Sequence, residues 1–387
     1  MNPLPPRPLA RRTLLVLAAL TALAIASFAA VSRLVTRLKA NEKRIAWRAY
    51  EAGLAQLQSA HSENALDDFR AALSYDRDNA EYQLSLARAL RDTGRLDESE
   101  TYLLHLWSAA PQDSTINLAL ARLAARRHSI DDAIRYYHSA IYGFWPNTPD
   151  ENRRRSRFEL IEFLLQQNAF PQAQAELMAL AQVVPPDAAQ HLIVADLFLR
   201  AHDGANALAQ YEAALKLEPK NATALAGAGA VAFQMGRYGS AQSFLQKALD
   251  ADPQNSQARD HLQTTDLVLA TDPFLRRISD AERNRRVIAA FSHAGDRLKS
   301  CAKANHLDLS AASTSNSGND LTALWSRWQS ARPQLHQLNS PSNVDLPDTL
   351  MDLVFQIEQQ ASQLCGQPAG VDLALLLLSR DRETVDE

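Results

Sequence analysis

The sequence of 387 residues is poor in the features that mark catalytic and metal-binding proteins. It has two cysteines, which are too few for a disulfide framework or a cysteine-rich zinc site. It also lacks the motifs of a phosphate-binding loop, a zinc-protease helix, a C-x-x-C redox pair and a serine nucleophile elbow. Gly227 and Gly229 lie in a helical pattern and so do not indicate a dinucleotide site. We therefore predict a protein that is not an enzyme, with no catalytic residues, cofactor or metal.

Charge and composition exclude other classes. The formal net charge of −4 is mild, so we predict no nucleic-acid partner. Alanine and leucine are abundant while β-branched residues are sparse, which favours helices over strands. The length suits two or three domains. Together these features predict an all-α protein.

A short pattern recurs along the middle of the chain. An alanine is followed four residues later by an aromatic residue or leucine, then by a second alanine, and often by proline and Asn or Asp. It is clearest at Ala207, Tyr211 and Ala214, and it returns 34 residues later from Ala241. Weaker copies complete six units, at 46–79, 80–113, 114–147, 154–187, 188–221 and 222–255. An extra turn is expected between the third and fourth units, at residues 148–153.

This pattern resembles the tetratricopeptide repeat (TPR) family over residues 46–255. The resemblance implies a right-handed α-solenoid, in which each unit is a helical hairpin that buries its apolar face against its neighbours. Small residues such as Gly53 and Ala87 would let the two helices of a hairpin approach closely. Bulky residues such as Phe69 and Leu103 would fill the space between hairpins.

The amino-terminal region predicts a membrane segment. Residues 1–12 form a proline-rich tail, and residues 13–32 form an uncharged run long enough to cross a bilayer as a helix. A juxtamembrane helix is expected at 33–45. We favour an uncleaved single-pass anchor, with a signal peptide cleaved near Ala29 as the alternative. Basic residues flank both sides of the span; we favour extracytoplasmic (periplasmic) repeats, and the cytoplasmic orientation stays open.

The resemblance also implies where partners bind, because the first helix of each TPR hairpin lines a concave surface. The groove positions are Tyr50, Leu84, Arg88, Arg91, Leu118, Arg122, Arg126, Phe158, Asp196 and Arg200. The four arginines of the second and third units would form one basic patch. Such a patch suits a protein or peptide partner with acidic residues or a free carboxyl terminus. The alternative is a solvated charged face whose arginines form salt bridges with nearby carboxylates.

The sequence pattern of the carboxy-terminal region predicts further helices. Residues 256–272 are expected to cap the repeats, and residues 273–387 are expected to form a small helical bundle. Its three helices are placed at about 279–304, 321–338 and 348–364, with a flexible loop at 310–320. The apolar run at 373–378 is too short to span a membrane and is expected to pack on the bundle or the repeats.

The two cysteines fall at comparable ends of the first and third bundle helices. Because these helices run parallel in an up-down-up bundle, Cys301 and Cys365 are candidates for a disulfide, which would fit an oxidising compartment. Two buried thiols are the alternative.

The sequence as a whole predicts a membrane-anchored scaffold or adaptor that binds proteins in its groove, in cell-envelope assembly or the organisation of a complex. The alternatives are a secreted or periplasmic TPR protein after signal cleavage and a membrane enzyme with a catalytic bundle.

Overall fold

The computed structural model describes residues 8–59, 61–309, 321–338 and 343–386. In these ranges the regular structure is helical: 17 α-helices, one short 3-10 helix and a single β-bridge between Asp113 and Phe144. The predicted all-α class is therefore confirmed. Residues 1–7 of the expected tail and the expected loop at 310–320 lie outside the described residues.

The chain divides into two compact units, Met1–Glu176 and Leu177–Glu387. The helices of unit 1 are α1 (Pro8–Gln58), α2 (Ser62–Tyr75), α3 (Ala80–Asp92), α4 (Leu96–Ala109), α5 (Ser114–Arg126), α6 (Ile130–Tyr142) and α7 (Pro149–Gln166). Helix α8 (Phe170–Ala181) contains the boundary. Short turns join successive helices, which makes neighbours antiparallel. Residues 149–153, expected in an extra turn, lie instead in the first turns of α7.

Helix α1 is unbroken over 51 residues. It begins at Pro8, five residues before the predicted start of the span, because proline is well tolerated in the first turn of a helix, where its missing N–H has no partner to lose. The predicted span, the juxtamembrane helix and the first repeat helix are thus one continuous element. It is the single helix among the described residues that is long and apolar enough to cross a membrane.

Asparagine and aspartate set the start of the first helix in successive hairpins. The side chain of Asn79 accepts hydrogen bonds from the backbone N–H groups of Glu81 and Tyr82, at 3.1 and 3.2 Å. Asp113 does the same for α5. Equivalent caps hold the starts of three helices in unit 2, at Asp187, Asn221 and Asn255. Each cap contributes about 1 kcal/mol to helix stability, so the Asn or Asp that ends each repeat begins the next one.

Small and bulky residues interlock inside the hairpins. A Cβ on Gly53 of α1 would lie 2.6 Å from the ring of Phe69 on α2, so this ring needs a glycine beneath it. In unit 2, Gly229 and Leu245 make the same kind of contact, with 2.7 Å for the added Cβ. Phe69 and Leu245 are fully buried. The glycines allow the close approach that the repeat pattern predicts, whereas Phe69 and Leu245 make these contacts inside their own hairpins and not only between hairpins as predicted.

Unit 2 continues with paired helices and ends in a bundle. Its helices after α8 are α9 (Ala188–Arg200), α10 (Gly204–Leu217), α11 (Ala222–Gln234), α12 (Tyr238–Ala251), α13 (Ser256–Thr271), α14 (Asp280–Ala304), α15 (Leu321–Ala331), α16 (Leu346–Cys365) and α17 (Gly370–Asp386). One apolar core runs from Tyr238 on α12 through Val268 on α13 into the bundle. The cap and the bundle therefore form one packed body.

The bundle departs from the three predicted helices in two places. Helix α15 ends at Ala331, and a 3-10 helix follows at Arg332–Gln337 because Pro333 cannot continue an α-helix. The apolar run at 373–378 belongs to a fourth helix, α17, whose Ala374, Leu375 and Leu378 enter the core. The sequence indicated that this run packs on the bundle, but not that it forms part of a 17-residue helix.

Candidate functional site

The predicted groove positions of unit 1 converge on one cavity. Arg91 from α3, Arg122 and Arg126 from α5 and Phe158 from α7 line a cavity of about 670 Å³. The three helices are first helices of consecutive hairpins, as the family resemblance implied. The repeat spacing therefore brings these four side chains to one concave surface.

Two of the four arginines are neutralised by carboxylates. Arg122 donates from Nε and Nη2 to the two carboxylate oxygens of Glu159, at 2.8 and 2.7 Å. This forked pair raises the pKa of Arg122. Arg91 donates from Nε and Nη2 to one oxygen of Asp92, at 2.9 and 2.7 Å. These two arginines therefore form salt bridges with nearby carboxylates, as the alternative interpretation of the basic patch expected.

Arg88 is different, because its guanidinium is largely buried without a counterion. Its Nε has no hydrogen-bond partner, and no ion pair is recorded for it among the described residues. Burial lowers its pKa, and the nearby charges of Arg122 and Arg91 lower it further. One buried nitrogen of Arg91, Nη1, also lacks a partner. Within the part of the chain that the structure describes, Arg88 is therefore a positive charge without an ion pair.

Arg126 lies at the open side of the cavity. It is exposed, and within the part of the chain that the structure describes it forms no recorded ion pair. Phe158 is half-buried beside it and supplies an apolar surface.

Three predicted groove residues belong more to the core than to the open surface. Tyr50 is 5% exposed; its ring lies 4.7 Å from that of Tyr82 and its hydroxyl donates to Glu81 at 3.1 Å. Leu118 is 7% exposed, and Leu84 packs against the core formed by α3, α4 and α5. Large side chains at these positions pack between neighbouring hairpins, so little of their surface is accessible to a partner.

The other two predicted positions lie on α9 in unit 2. Asp196 and Arg200 are both exposed. Unit 2 has a cavity of its own of about 430 Å³, formed largely by small residues of α11 such as Ala226, Gly227 and Ala230. Neither Asp196 nor Arg200 lines it.

Two residues of the cavity were not predicted from the sequence. They are Glu159, which pairs with Arg122, and Arg155, whose Nε lies 3.6 Å from a Glu159 oxygen. Burial, followed by the charge of Glu159, raises the pKa of Tyr137 to about 12, so its hydroxyl stays neutral at the cavity wall. The sequence did contain one signal for the pairing of Arg122 with Glu159: the two residues are 37 positions apart, close to the length of one repeat.

The cysteines lie together at one end of the bundle. Cys301 is near the end of α14 and Cys365 ends α16, and their Cα atoms are 5.6 Å apart in a disulfide. The bond closes a separation of 64 residues across the bundle.

Stacked antiparallel hairpins with a lined concave surface define a helical-repeat scaffold for protein interactions. A family model described as tetratricopeptide repeat matches residues 56–123 and 198–263. The chain therefore contains tetratricopeptide repeats. No curated protein matches the sequence.

Solved structures with some similarity are also TPR proteins or pilus factors. PilF of Pseudomonas aeruginosa is 16% identical, with 57% of this chain and 97% of that chain covered at a TM-score of 0.38. A TPR repeat-containing protein of Cytophaga hutchinsonii is 13% identical, with 62% and 92% covered at 0.42. YrrB, a TPR protein with an unusual peptide-binding site, is 16% identical, with 50% and 96% covered at 0.36.

Proposed function

We propose that the protein is a membrane-anchored scaffold that holds an acidic segment of a partner protein in the cavity of α3, α5 and α7. The observation that carries this proposal is Arg88, one helical turn before Arg91 of the cavity wall: its guanidinium is largely buried and forms no ion pair among the described residues, and Asp113 offsets its charge only weakly. A cation removed from water costs several kcal/mol unless a counterion accompanies it. A carboxylate from a partner would supply that counterion.

The position of Arg88 favours a carboxylate over a neutral group. Arg91 and Arg122 lie close enough to lower its pKa, but Asp92 and Glu159 already pair with them, so Arg88 is the guanidinium that an anion would neutralise. The forked N–H groups of a guanidinium suit a side-chain carboxylate or a free carboxyl terminus equally. Phe158 and Arg126 would bind the residues that flank the anion.

The anchor and the compartment are part of the same proposal. The apolar segment of α1 is fully exposed and continues without a break into the first repeat. The disulfide supports an oxidising, extracytoplasmic location, and so a role in the cell envelope. If the segment is instead a cleaved signal, the mature chain begins after it; amino-terminal sequencing of the membrane-extracted protein distinguishes these two outcomes.

The experiment is photocrosslinking in native membranes. A photoreactive phenylalanine analogue replaces Phe158 in the full chain, and the captured protein is identified by mass spectrometry. The same capture is repeated with Arg88→Met, which keeps the side-chain length but removes the charge. Arg95→Met, at an exposed arginine paired with Glu98 outside the cavity, is the matched control.

We expect Arg88→Met to reduce capture of the partner about tenfold or more, since a lost charge-assisted hydrogen bond is worth about 1.5–3 kcal/mol. Arg95→Met should leave capture unchanged. Equal capture by the original and Arg88→Met chains would remove Arg88 from the site and overturn the proposal. A captured segment without carboxylates at the crosslink would do the same.

A further inference from the structure

The exposed large apolar side chains of the repeats in unit 1 all lie toward one edge. They are Trp47, Tyr75, Leu104, Trp107, Tyr142 and Phe144, with exposures of 38–69%. Tyr75 ends α2, Trp107 lies in the last turn of α4, and Tyr142 ends α6. The opposite turns, at 93–95, 127–129 and 167–169, expose no large apolar side chain.

This edge is also the one from which the apolar segment of α1 projects. Because consecutive helices are antiparallel, the turns at 76–79, 110–113 and 143–148 return to the level at which α1 enters the repeats. The register is fixed by contacts: the hydroxyl of Tyr50 on α1 reaches Glu81, the second residue of α3, at 3.1 Å. We call this border of unit 1, with its three turns, the anchor edge.

The last turn of the anchor edge holds its aromatic residues rigidly. The N–H of Phe144 donates to the carbonyl of Gln112 at 2.9 Å, and the N–H of Ser114 donates to the carbonyl of Phe144 at 3.1 Å. A Cβ on Gly143 would lie 2.6 Å from the carbonyl oxygen of Ser139, so the chain is tightly packed there. Yet Tyr142 and Phe144 are 69% and 67% exposed. Arg157 donates to the Tyr142 hydroxyl at 3.0 Å, so this ring is held in place, whereas its outer face and Phe144 stay open. Exposed aromatic rings on a fixed backbone indicate a contact surface.

Helix α1 carries an apolar face beyond the uncharged span. Val31, Leu34, Val35 and Leu38 follow helical spacing, and all four are exposed. From Leu14 to Leu38 this face is about 25 residues, or about 37 Å. A tilt of about 35°, within the range of membrane helices, fits that length into a hydrocarbon layer of about 30 Å. Arg33 and Arg37 reach the surface by extending their side chains.

With this tilt the anchor edge meets the membrane surface. The level of Lys43, where the turns lie, falls about 6 Å above the hydrocarbon boundary, inside a headgroup layer of about 5–7 Å. Tryptophan and tyrosine prefer this layer. Basic residues (Lys43 and Arg154) and exposed acidic residues (Asp78, Asp150 and Glu151) both lie at this edge, so the contact rests on its aromatic side chains and not on a net charge.

We propose that the anchor edge rests in the headgroup layer of the bilayer that α1 crosses, so that the repeats lie against the membrane and do not stand away from it. This rests on the anchoring part of the proposed function and holds for either orientation. An upright α1 with its boundary at Ser32 would leave the edge about 16 Å above the hydrocarbon, clear of the headgroups.

The test uses the full chain in vesicles of phosphatidylcholine with a minority of phosphatidylglycerol. Spin labels are placed singly at Phe144→Cys on the anchor edge, at Asp131→Cys on the opposite edge and at Leu23→Cys in the span. Labelling is done without reductant, so that the native cysteine pair stays joined. Collision with oxygen and with a water-soluble nickel chelate then reports the depth of each label.

We expect the label at 144 to collide severalfold less with the nickel chelate than the label at 131. The double variant Tyr142→Ser and Phe144→Ser, read from a label at Tyr75→Cys, should restore contact with the chelate while the helical content stays unchanged. A label at 23 that is open to the chelate would refute the anchor itself. If the label at 23 lies within the hydrocarbon but the labels at 144 and 131 are equally accessible to the chelate, α1 still crosses the bilayer and only the contact of the anchor edge with the headgroups is refuted. Protection of position 144 in native membranes but not in these vesicles would assign the edge to a protein partner and overturn the proposal.

Discussion

Arg88→Met should make unit 1 more stable, although it removes a buried side chain's charge. Among the described residues the guanidinium of Arg88 forms no ion pair, and the charges of Arg122 and Arg91 lower its pKa. Replacing a buried ion with an apolar residue of similar length is often stabilising by about 1–4 kcal/mol. Since 1 kcal/mol shifts Tm by about 2–4 °C in a unit of this size, we expect Tm to rise by about 2–16 °C.

The matched comparison is Arg122→Met, at a nearby arginine that lines the cavity. It leaves the carboxylate of Glu159, which is 27% exposed, without its forked partner, so we expect a loss of about 1–3 kcal/mol. Thermal unfolding of the full chain in detergent, followed by circular dichroism, measures both variants. The reasoning fails if Arg88→Met lowers Tm as Arg122→Met does, because the guanidinium would then stabilise the empty protein and need no ligand.

Two further predictions concern the bundle. Burial and then Asp372 raise the pKa of Glu358 to about 8, and both of its carboxylate oxygens lack partners. Since the folded state then binds a proton more tightly than the unfolded chain, unit 2 should lose on the order of 4 kcal/mol of stability as pH rises from about 4.5 to 8. Glu358→Gln should flatten this dependence in thermal unfolding at several pH values; an unchanged slope would contradict it. Reducing the Cys301–Cys365 bond should cost about 2–4 kcal/mol, because it frees a loop of 64 residues. An equal Tm with and without reductant would argue against that constraint.

The repeat could be predicted from sequence because its residues act locally. An alanine or glycine facing a bulky residue, and an Asn or Asp that caps the next helix, need only neighbours within one hairpin. Gly53 beneath Phe69 and Asn79 at the start of α3 show this directly. The helical class and the cavity on α3, α5 and α7 followed from that regularity.

The charge state of the cavity could not be predicted in the same way. Whether an arginine is satisfied depends on the residue that faces it from the next hairpin, and a shift of one residue along α7 would move Glu159 away from Arg122. The first six residues of α7, Pro149–Arg154, interrupt the regular spacing at this point. Helix α17 was not predicted, because its apolar run indicates burial but lacks the helical pattern of a repeat.

If α1 crosses the membrane as proposed, its continuity gives the groove a fixed relation to the membrane. No proline or glycine lies between Val31 and Ala52, so nothing in that stretch breaks the helix that joins the span to the first repeat. Each residue of a helix advances it by about 1.5 Å and turns it by about 100°. One residue more or fewer between Ser32 and Ala46 would therefore turn the repeats about a third of a circle around the span and carry the anchor edge away from the bilayer. A flexible linker would impose no such limit on length, so the length of this stretch is part of how the scaffold presents its cavity to a partner.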